Sequence, residues 1–256
     1  MERIKRFFRV KNLNGSVFYG LEIRRGWIER IEGFPWGEYV ATKELVPLDK
    51  VSLLAPVTPS KIIAVGLNYR DHIEEFGKSV PDEPVIFFKS ITSLTGPGTS
   101  IQIPRASSQV DYEAELAIII GHETWQVSES EAIKAIGGYT CLNDVTARDI
   151  QKKDGQWCRA KSYPAFCPIG PGITQGVNPA QLDIRLYQNG QLRQESNTSQ
   201  LLFPVEQIVA FVSSVMPLYP QDIIATGTPS GVGPMQPGDR IEIDIEKVGR
   251  LVNNVS

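Results

Sequence analysis

The most chemically suggestive stretch of the sequence is residues 110–120, which read VDYEAELAIII. We predict one long strand here, in which alternate side chains share a face, so that Asp111, Glu113 and Glu115 lie on the same face about 7 Å apart in order. The rest of that face is apolar, so we expect it to be buried. Buried like charges destabilise a fold unless they are protonated or face a cation. The pattern therefore predicts either Lys or Arg partners or a hard divalent metal bound through oxygen.

A third carboxylate for such a metal would have to come from another segment. Asp144 follows a half-apolar strand and begins a turn in the segment CLNDVTARD. An aspartate at a turn most often caps the local backbone, so the position of this residue alone leaves both interpretations open. Zinc is not indicated, because no cluster of histidines and cysteines lies nearby.

The chain has two histidines, His72 and His122, so any histidine-based chemistry is confined to them. In a helix, His72 and Glu75 would lie three residues apart on one face. A neighbouring carboxylate orients an imidazole and raises its basicity, as a general base requires. Such a pair is also common on exposed helix surfaces, so the spacing leaves both interpretations open. We expect His122 in a surface loop, because it follows a predicted strand end.

Residues 226–233, TGTPSGVG, form a glycine-rich segment after an apolar strand. The lysine that a phosphate-binding P-loop requires is missing, so no nucleotide site is predicted. The two threonine hydroxyls could bind a substrate carboxylate, or the segment could be a plain connection between strands.

Composition excludes several classes of protein. The 256 residues include 26 basic and 29 acidic side chains, without the basic excess typical of nucleic-acid binding. The sequence has no apolar run of about 18 residues that would span a membrane and no secretory signal at its start. Three widely spaced cysteines are typical of reduced thiols. We therefore expect a cytoplasmic protein that binds neither nucleic acid nor membranes.

Short β-like runs, frequent glycine turns and few helices predict a β-dominated α+β fold. The beginning of the chain reads as a small meander of hairpins, and a proline-marked connector follows it at residues 53–59. We therefore predict two domains, a small β-rich one at residues 1–57 and a larger one at residues 58–256.

We predict helices over three segments, 71–78, 128–136 and 203–218. Ser128 and Glu131 have the spacing of a capping box at the start of the second helix. The pair Asn189-Gly190, between two alternating runs, predicts a tight hairpin turn.

Taken together, these segments resemble the fumarylacetoacetate hydrolase family. The similarity covers about residues 60–250 and rests on seven segments in the family's order: VGLNYRDHIEE, PVIFFKS, VDYEAELAIIIG, GGYTCLNDVTARDIQ, RAKSYPAFCPIGP, NGQLRQE and IIATGTPSGVG. The resemblance implies layered, rolled mixed β-sheets with short helices and a small N-terminal β-rich extension. It also implies a homodimer and a Mg²⁺ or Mn²⁺ site.

The resemblance further implies a role for nine residues of this sequence. The implied metal ligands are Glu113, Glu115 and Asp144. The implied catalytic residues are His72, Glu75 and Lys161, the first two as a dyad. The implied substrate-binding residues are Gln151, Thr228 and Arg148, of which the arginine is expected mainly to brace the site.

The implied function is the divalent-metal-dependent hydrolysis of a C–C bond in a β-diketo acid of acylpyruvate or fumarylpyruvate type, through an enolate that the metal stabilises. Lys161 would balance the net negative charge that three carboxylates and one divalent cation leave. The same enolate would serve an oxaloacetate decarboxylase, a keto–enol tautomerase or a 2-hydroxyhepta-2,4-diene-1,7-dioate isomerase, so these stay open. A catalytically idle binding protein is the alternative outside enzymes. For each enzyme the partner would be a small anionic keto acid.

Overall fold

The computed structural model describes residues 3–77 and 79–256, except for the side chain of Phe76. Within these residues the strands are β1 (Lys5–Lys11), β2 (Val17–Arg24), β3 (Trp27–Gly33), β4 (Tyr39–Pro47), β5 (Ser52–Leu53), β6 (Ile62–Gly66), β7 (Val85–Lys89), β8 (Leu94–Thr95), β9 (Val110–Tyr112), β10 (Ala114–Ile120), β11 (Ile136–Asn143), β12 (Thr146–Ala147), β13 (Cys167–Gln175), β14 (Asp183–Gln188), β15 (Gln191–Asn197), β16 (Ile223–Ala225), β17 (Gly233–Pro234), β18 (Arg240–Ile245) and β19 (Gly249–Asn254). The α-helices are α1 (Arg70–Phe76), α2 (Glu129–Ala135), α3 (Arg148–Asp154), α4 (Cys158–Lys161) and α5 (Val205–Val215).

The described residues form three β-sheets, which confirms the predicted β-dominated α+β class of layered mixed sheets with short helices. The large sheet has the strand order β4-β3-β2-β1-β13-β11-β10-β16-β6-β7, with β5 and β8 attached at its side. It is mixed, because β16 runs parallel to β6 while most other neighbours are antiparallel. A three-stranded sheet has the order β12-β9-β17, and a four-stranded sheet has the order β15-β14-β18-β19.

Strand β10 lies at the centre of the large sheet, between β11 and β16, and every one of its residues is buried. Its two faces pack into different parts of the core. Leu116 and Ile118 belong to the largest apolar cluster, whereas Ala117 and Ile119 pack in a second cluster with Leu142. The predicted alternation of faces is therefore confirmed, and both faces are dry as in strands covered on both sides.

The prediction of one continuous strand at residues 110–120 is wrong at a single position. The chain leaves the three-stranded sheet after Tyr112 and enters the large sheet at Ala114, so that Glu113 lies in neither strand. The hydrophobic pattern continues across the break, because the residues on both sides are buried. The sequence therefore carries no signal of the change of sheet.

The N-terminal meander forms as predicted, with β1, β2, β3 and β4 paired in order. Strand β1 also pairs with β13, where Phe7 lies opposite Ile173, so the large sheet continues from the meander into the rest of the chain. The division into residues 1–57 and 58–256 stays a prediction, as do the homodimer and the cytoplasmic location. Residues 1 and 2 lie outside the described residues.

The predicted local elements are confirmed with small shifts of their ends. Helix α2 begins after Ser128, whose backbone N–H donates to the Glu131 carboxylate (3.0 Å), as a capping box requires. The turn between β14 and β15 has positive φ at both Asn189 and Gly190 (54° and 78°), the geometry that matches the twist of a hairpin. Lys78, the last residue of the first predicted helix, lies outside the described residues. Among residues 3–77 and 79–256, no helix has the length and apolar character needed to cross a membrane.

Asn68 ties the start of α1 to the rest of the fold. Its buried amide donates to the carbonyls of Thr226 (2.7 Å) and Phe203 (3.2 Å), and its Oδ1 accepts from the Phe203 backbone N–H (2.9 Å). This side chain therefore connects the residues just before α1 to two distant segments of the chain.

Replacing Asn68 by alanine should lower the free energy of unfolding by about 2 to 3 kcal/mol, because buried backbone groups would lose their partner. Denaturant unfolding measures this change. Asn178→Ala is the control, since the Asn178 side chain accepts one local hydrogen bond from Ala180 at the surface and its loss should have little effect. Equal stabilities of the two variants would contradict the anchoring role.

Candidate metal centre

The break in the strand at Glu113 brings two acidic residues from distant segments together. The Glu113 backbone N–H donates to Oδ1 of Asn143 (3.0 Å), and the Glu113 carbonyl accepts from the backbone N–H of Asp144 (2.9 Å). These bonds replace the regular pairing that the strand loses there. They hold Asp144, the first residue after β11, beside Glu113.

Glu113, Glu115 and Asp144 form a group whose carboxylate oxygens can all lie within 4.8 Å of one another. All three side chains are buried. Glu115 also accepts the backbone N–H of Gly227 (2.8 Å), which has a positive φ of 102° in the glycine-rich loop after β16. A side chain at that position would be strained. The structure thus brings together the three residues predicted as metal ligands.

Asp111, the third acid of the predicted strand face, does not belong to this group. The Nε of Arg148 donates to its carboxylate (2.8 Å), and Nη2 of the same arginine donates to Glu113 (2.5 Å). The guanidinium also donates to Oε1 of Gln151 (2.8 Å). Arg148 therefore connects three side chains at the end of the acidic group, as the bracing role predicts.

Two lysines neutralise the other side of the group. The Nζ of Lys161 lies 2.8 Å from Glu113 and 2.5 Å from Asp144, so this ammonium connects two of the three carboxylates. The Nζ of Lys89 lies 2.5 Å from the second oxygen of Asp144. Both lysines are buried, and a buried ammonium is stable only when acids surround it.

The two glutamates have opposite electrostatic environments. Burial alone would raise the pKa of Glu113, but the charges of Lys161 and Arg148 outweigh it and hold this pKa at about 2. Burial raises the pKa of Glu115 well above its ordinary value, and the charges of Asp144 and Glu113 raise it further. Unlike Glu113, Glu115 is contacted by neither Lys161 nor Arg148 within salt-bridge distance.

The donor set fits a hard divalent cation. Carboxylate oxygen is the ligand that Mg²⁺ and Mn²⁺ prefer, and the group offers no sulfur or imidazole that would favour a softer metal. A bound cation would also remove the like-charge repulsion that raises the pKa of Glu115.

The acidic group lies at the inner end of a cleft of about 350 Å³. That volume is at the small end of the range for ligand pockets. Its lining includes eight of the nine predicted site residues, namely His72, Glu113, Glu115, Asp144, Arg148, Gln151, Lys161 and Thr228. Apolar walls come from Val65, Phe87 and Trp157. The structure therefore brings together residues from four separate sequence segments in one cleft.

Glu75, the ninth residue, lies behind His72 on α1. Its Oε2 is 3.5 Å from Nδ1 of His72, and its carboxylate accepts the backbone N–H of Gly231 (3.2 Å). Burial lowers the pKa of His72, and the acidic neighbours Glu113 and Glu75 only partly oppose this shift. A lowered pKa keeps the imidazole neutral at pH 7, the form that accepts a proton. His122 is exposed, as predicted.

Gln194 bonds to the hydroxyl of Thr228, and its role is not predictable from the sequence. Its Oε1 accepts the backbone N–H of Ala114 (2.9 Å), so the amide orientation is set and Nε2 must be the donor. That Nε2 donates to Oγ1 of Thr228 (2.9 Å) and to the carbonyl of Pro229 (2.9 Å). Because Nε2 is a donor and cannot accept, the Thr228 O–H is not used by Gln194. Thr228 is thereby prepared to donate into the cleft.

Sequence reasoning also missed Lys89 and Trp157. Lys89 ends the apolar strand VIFFK, and a lone lysine at a strand end is normally exposed, so only the structure reveals its pairing with Asp144. Trp157 packs against Gly66, where an added Cβ would lie 2.6 Å from the indole. A glycine at the end of an apolar strand was the signal for this close approach.

Comparison with known proteins identifies the family. The profile described as fumarylacetoacetate (FAA) hydrolase C-terminal matches residues 61–256, and one described as Rv2993c-like, N-terminal, matches residues 3–56. The chain belongs to the fumarylacetoacetate hydrolase family, and the resemblance drawn from its motifs is confirmed.

Particular relatives carry different names. The chain is 40% identical to oxaloacetate tautomerase Fahd2a, mitochondrial, of Rattus norvegicus, over 82% of this chain and 71% of the relative. It is 41% identical to a 2-hydroxyhepta-2,4-diene-1,7-dioate isomerase from Mycobacterium marinum, with a TM-score of 0.91 over 98% of both chains. It is 36% identical to a fumarylacetoacetate hydrolase from Exiguobacterium antarcticum, with a TM-score of 0.88 over 98% of this chain and 99% of that one.

Changing Glu115 to glutamine should weaken Mn²⁺ binding at least about tenfold, because one charged ligand is lost from a three-carboxylate set. Without metal the variant should be as stable as the parent or more so, since a like charge leaves the core. Titration calorimetry and thermal unfolding measure the two effects. Glu242→Gln is the control, because this glutamate is also buried but pairs with Arg250 in the four-stranded sheet. Unchanged Mn²⁺ affinity in Glu115→Gln would refute the assignment.

Proposed function

We propose that the chain is a divalent-metal-dependent enzyme that moves a proton on a small 2-oxo acid, as a keto–enol tautomerase or an isomerase. The observation that carries this proposal is the group of three buried carboxylates in one cleft with His72. Glu113, Glu115 and Asp144 would hold the cation, which when bound would polarise the 2-oxo group and make the neighbouring C–H more acidic.

The names of the relatives support the rearrangement of a substrate rather than its cleavage. The rat relative is named a tautomerase and the Mycobacterium marinum structure an isomerase, and both are at least 40% identical to this chain. Both names denote reactions that leave the carbon skeleton intact.

The charges around the centre support an anionic substrate. Four carboxylates, those of the acidic group and Asp111, face the three cations Lys89, Arg148 and Lys161. A divalent cation added to this set leaves one net positive charge, which an anion such as a 2-oxo acid would balance. Lys161 and Arg148 both line the cleft, where they would orient the substrate carboxylate.

His72 would accept the proton. Its Nδ1 faces Glu75, so Nε2 is the nitrogen that points away from that carboxylate. A neutral imidazole takes a proton from the carbon next to the 2-oxo group, and Glu75 stabilises the imidazolium that results. The imidazolium then returns the proton to the substrate, at the 2-oxo oxygen in a tautomerase or at another carbon in an isomerase. The Thr228 O–H, which Gln194 Nε2 cannot accept, would hydrogen-bond an oxygen of the substrate. Helix α1 covers this region and would exclude water.

C–C hydrolysis of an acylpyruvate, as the sequence analysis first predicts, is the second candidate. The paired His72 and Glu75 favour it, since the same base could take a proton from water for attack on the distal carbonyl. The Exiguobacterium antarcticum structure named a hydrolase, at 36% identity, also favours it.

Four reactions measured side by side with Mg²⁺ and with Mn²⁺ separate these candidates. They are ketonisation of enol-oxaloacetate, isomerisation of 2-hydroxyhepta-2,4-diene-1,7-dioate, release of CO₂ from oxaloacetate, and release of pyruvate from acetylpyruvate. We expect ketonisation or isomerisation to have the highest metal-dependent kcat/KM. Faster release of pyruvate would establish the hydrolase instead, and faster release of CO₂ a decarboxylase. No metal-dependent turnover of any of them would contradict the enzymatic proposal.

Replacing His72 by glutamine should reduce the fastest of these reactions by about 10² to 10⁴, the usual effect of losing a general base. Mn²⁺ affinity should stay unchanged, because His72 lies outside the three ligands. His122→Gln serves as the control, since it removes the other histidine of the chain at an exposed position. Full activity of His72→Gln would show that the proton goes to another group.

A further inference from the structure

One basic residue of the cleft differs from the others in its bonding. Lys161 contacts Glu113 and Asp144, and Lys89 contacts Asp144. Arg148 contacts Glu113 and the neighbouring Asp111. Lys152 also lines the cleft, yet in the part of the chain that the structure describes its ammonium forms no salt bridge or hydrogen bond. It is exposed.

The position of Lys152 follows from helix α3. Arg148 and Lys152 are four residues apart, so they lie on one face of the helix and about 6 Å apart along its axis. Arg148 is at the inner end of the cleft because it contacts Glu113. Lys152, one turn further along and exposed, lies toward the opening.

The wall of the cleft includes a stretch of aromatic surface. Phe87 and Trp157 both line it and pack edge to face, with ring centroids 5.0 Å apart. The cleft thus has a charged inner end, an apolar wall and a free cation near its mouth. A complementary ligand has an oxo acid at one end, a short hydrocarbon middle and a second anionic group at the other end.

We propose that Lys152 binds the distal carboxylate of a dicarboxylic 2-oxo acid and so determines the preference of the site for dicarboxylates. This inference rests on the proposed function, because it requires the 2-oxo acid end of the ligand to lie at Glu113, Glu115 and Asp144. The charge balance of the cleft supports a ligand with two carboxylates. The centre with its cation balances one carboxylate, and Lys152 supplies the charge for a second.

The alternative is that Lys152 is an ordinary solvated lysine, as most exposed lysines are. Lys153 provides the matched comparison within the same helix. It is the next residue, it is also exposed, and it does not line the cleft. A general effect of removing positive charge from α3 would therefore appear in variants of both lysines, and a specific contact only in those of Lys152.

The test measures the binding of 2-oxoglutarate and 2-oxopentanoate to the full chain by calorimetry, at saturating Mn²⁺. These five-carbon 2-oxo acids differ only in whether a carboxylate or a methyl group ends the chain. Lys152→Met keeps most of the apolar stem of the side chain and removes the charge, and Lys153→Met is its control. Thermal unfolding and Mn²⁺ titration confirm that each variant is folded and holds metal.

We expect the parent to bind 2-oxoglutarate about five- to tenfold more tightly than 2-oxopentanoate, as a partly exposed charge-assisted hydrogen bond would provide. Lys152→Met should abolish this preference by weakening only 2-oxoglutarate, Lys153→Met should keep it, and added salt should reduce it in the parent.

Equal affinities for the two acids in the parent, or an unchanged preference in Lys152→Met, would overturn the role of Lys152 and leave the proposed function intact. Equal losses of preference in both lysine variants would also overturn it, since they would indicate a general charge effect. If neither acid binds the metal-loaded parent, and none of the four reactions shows metal-dependent turnover, the proposed function is overturned and this inference with it.

Discussion

Repulsion between buried carboxylates is the constraint on which the rest of the site depends. Glu113, Glu115 and Asp144 converge in the core, and a group of this kind is stable only where cations compensate it. Lys161, Lys89 and Arg148 do so from three different directions, by contacts of 2.5 to 2.8 Å. Without metal, therefore, the protein's own basic residues already oppose much of the repulsion. A divalent cation would remove the repulsion that remains and leave the one net positive charge that an anionic ligand balances.

The sheets have to meet at one point for this compensation to work. Glu113 lies where the chain crosses from the three-stranded to the large sheet, and Asp144 lies at the end of β11. Gln194, from the four-stranded sheet, bonds both the backbone beside Glu113 and the hydroxyl of Thr228. Small polar contacts between sheets thus position the acids and the residues expected to contact substrate. Apolar clusters pack against both faces of β10 beside this junction.

Much of this could be predicted from the sequence, because local patterns determine it. The two-residue period of β10 identified its buried faces, and Asn189-Gly190 identified the hairpin. The family motifs indicated all nine proposed site residues. The rest depends on contacts between distant segments. The strand break at Glu113 leaves no trace in hydrophobicity, so Asp111 was grouped with the wrong partners. Lys89 and Gln194 are ordinary strand residues until Asp144 and Thr228 are placed beside them.

The junction of three sheets has a consequence for how the protein folds. Glu113, Asp144, Lys161, Gln194 and Thr228 come from widely separated parts of the chain, and such long-range contacts form late. An intermediate in which one sheet is missing would lack part of the acidic group or of its supports. A metal ion would then bind only the finished fold and stabilise it by mass action, by about 2.7 kcal/mol at a hundredfold excess over its dissociation constant. Stabilisation that is absent from the transition state slows unfolding without accelerating folding. For this chain, a bound metal would therefore slow the unfolding of the native state.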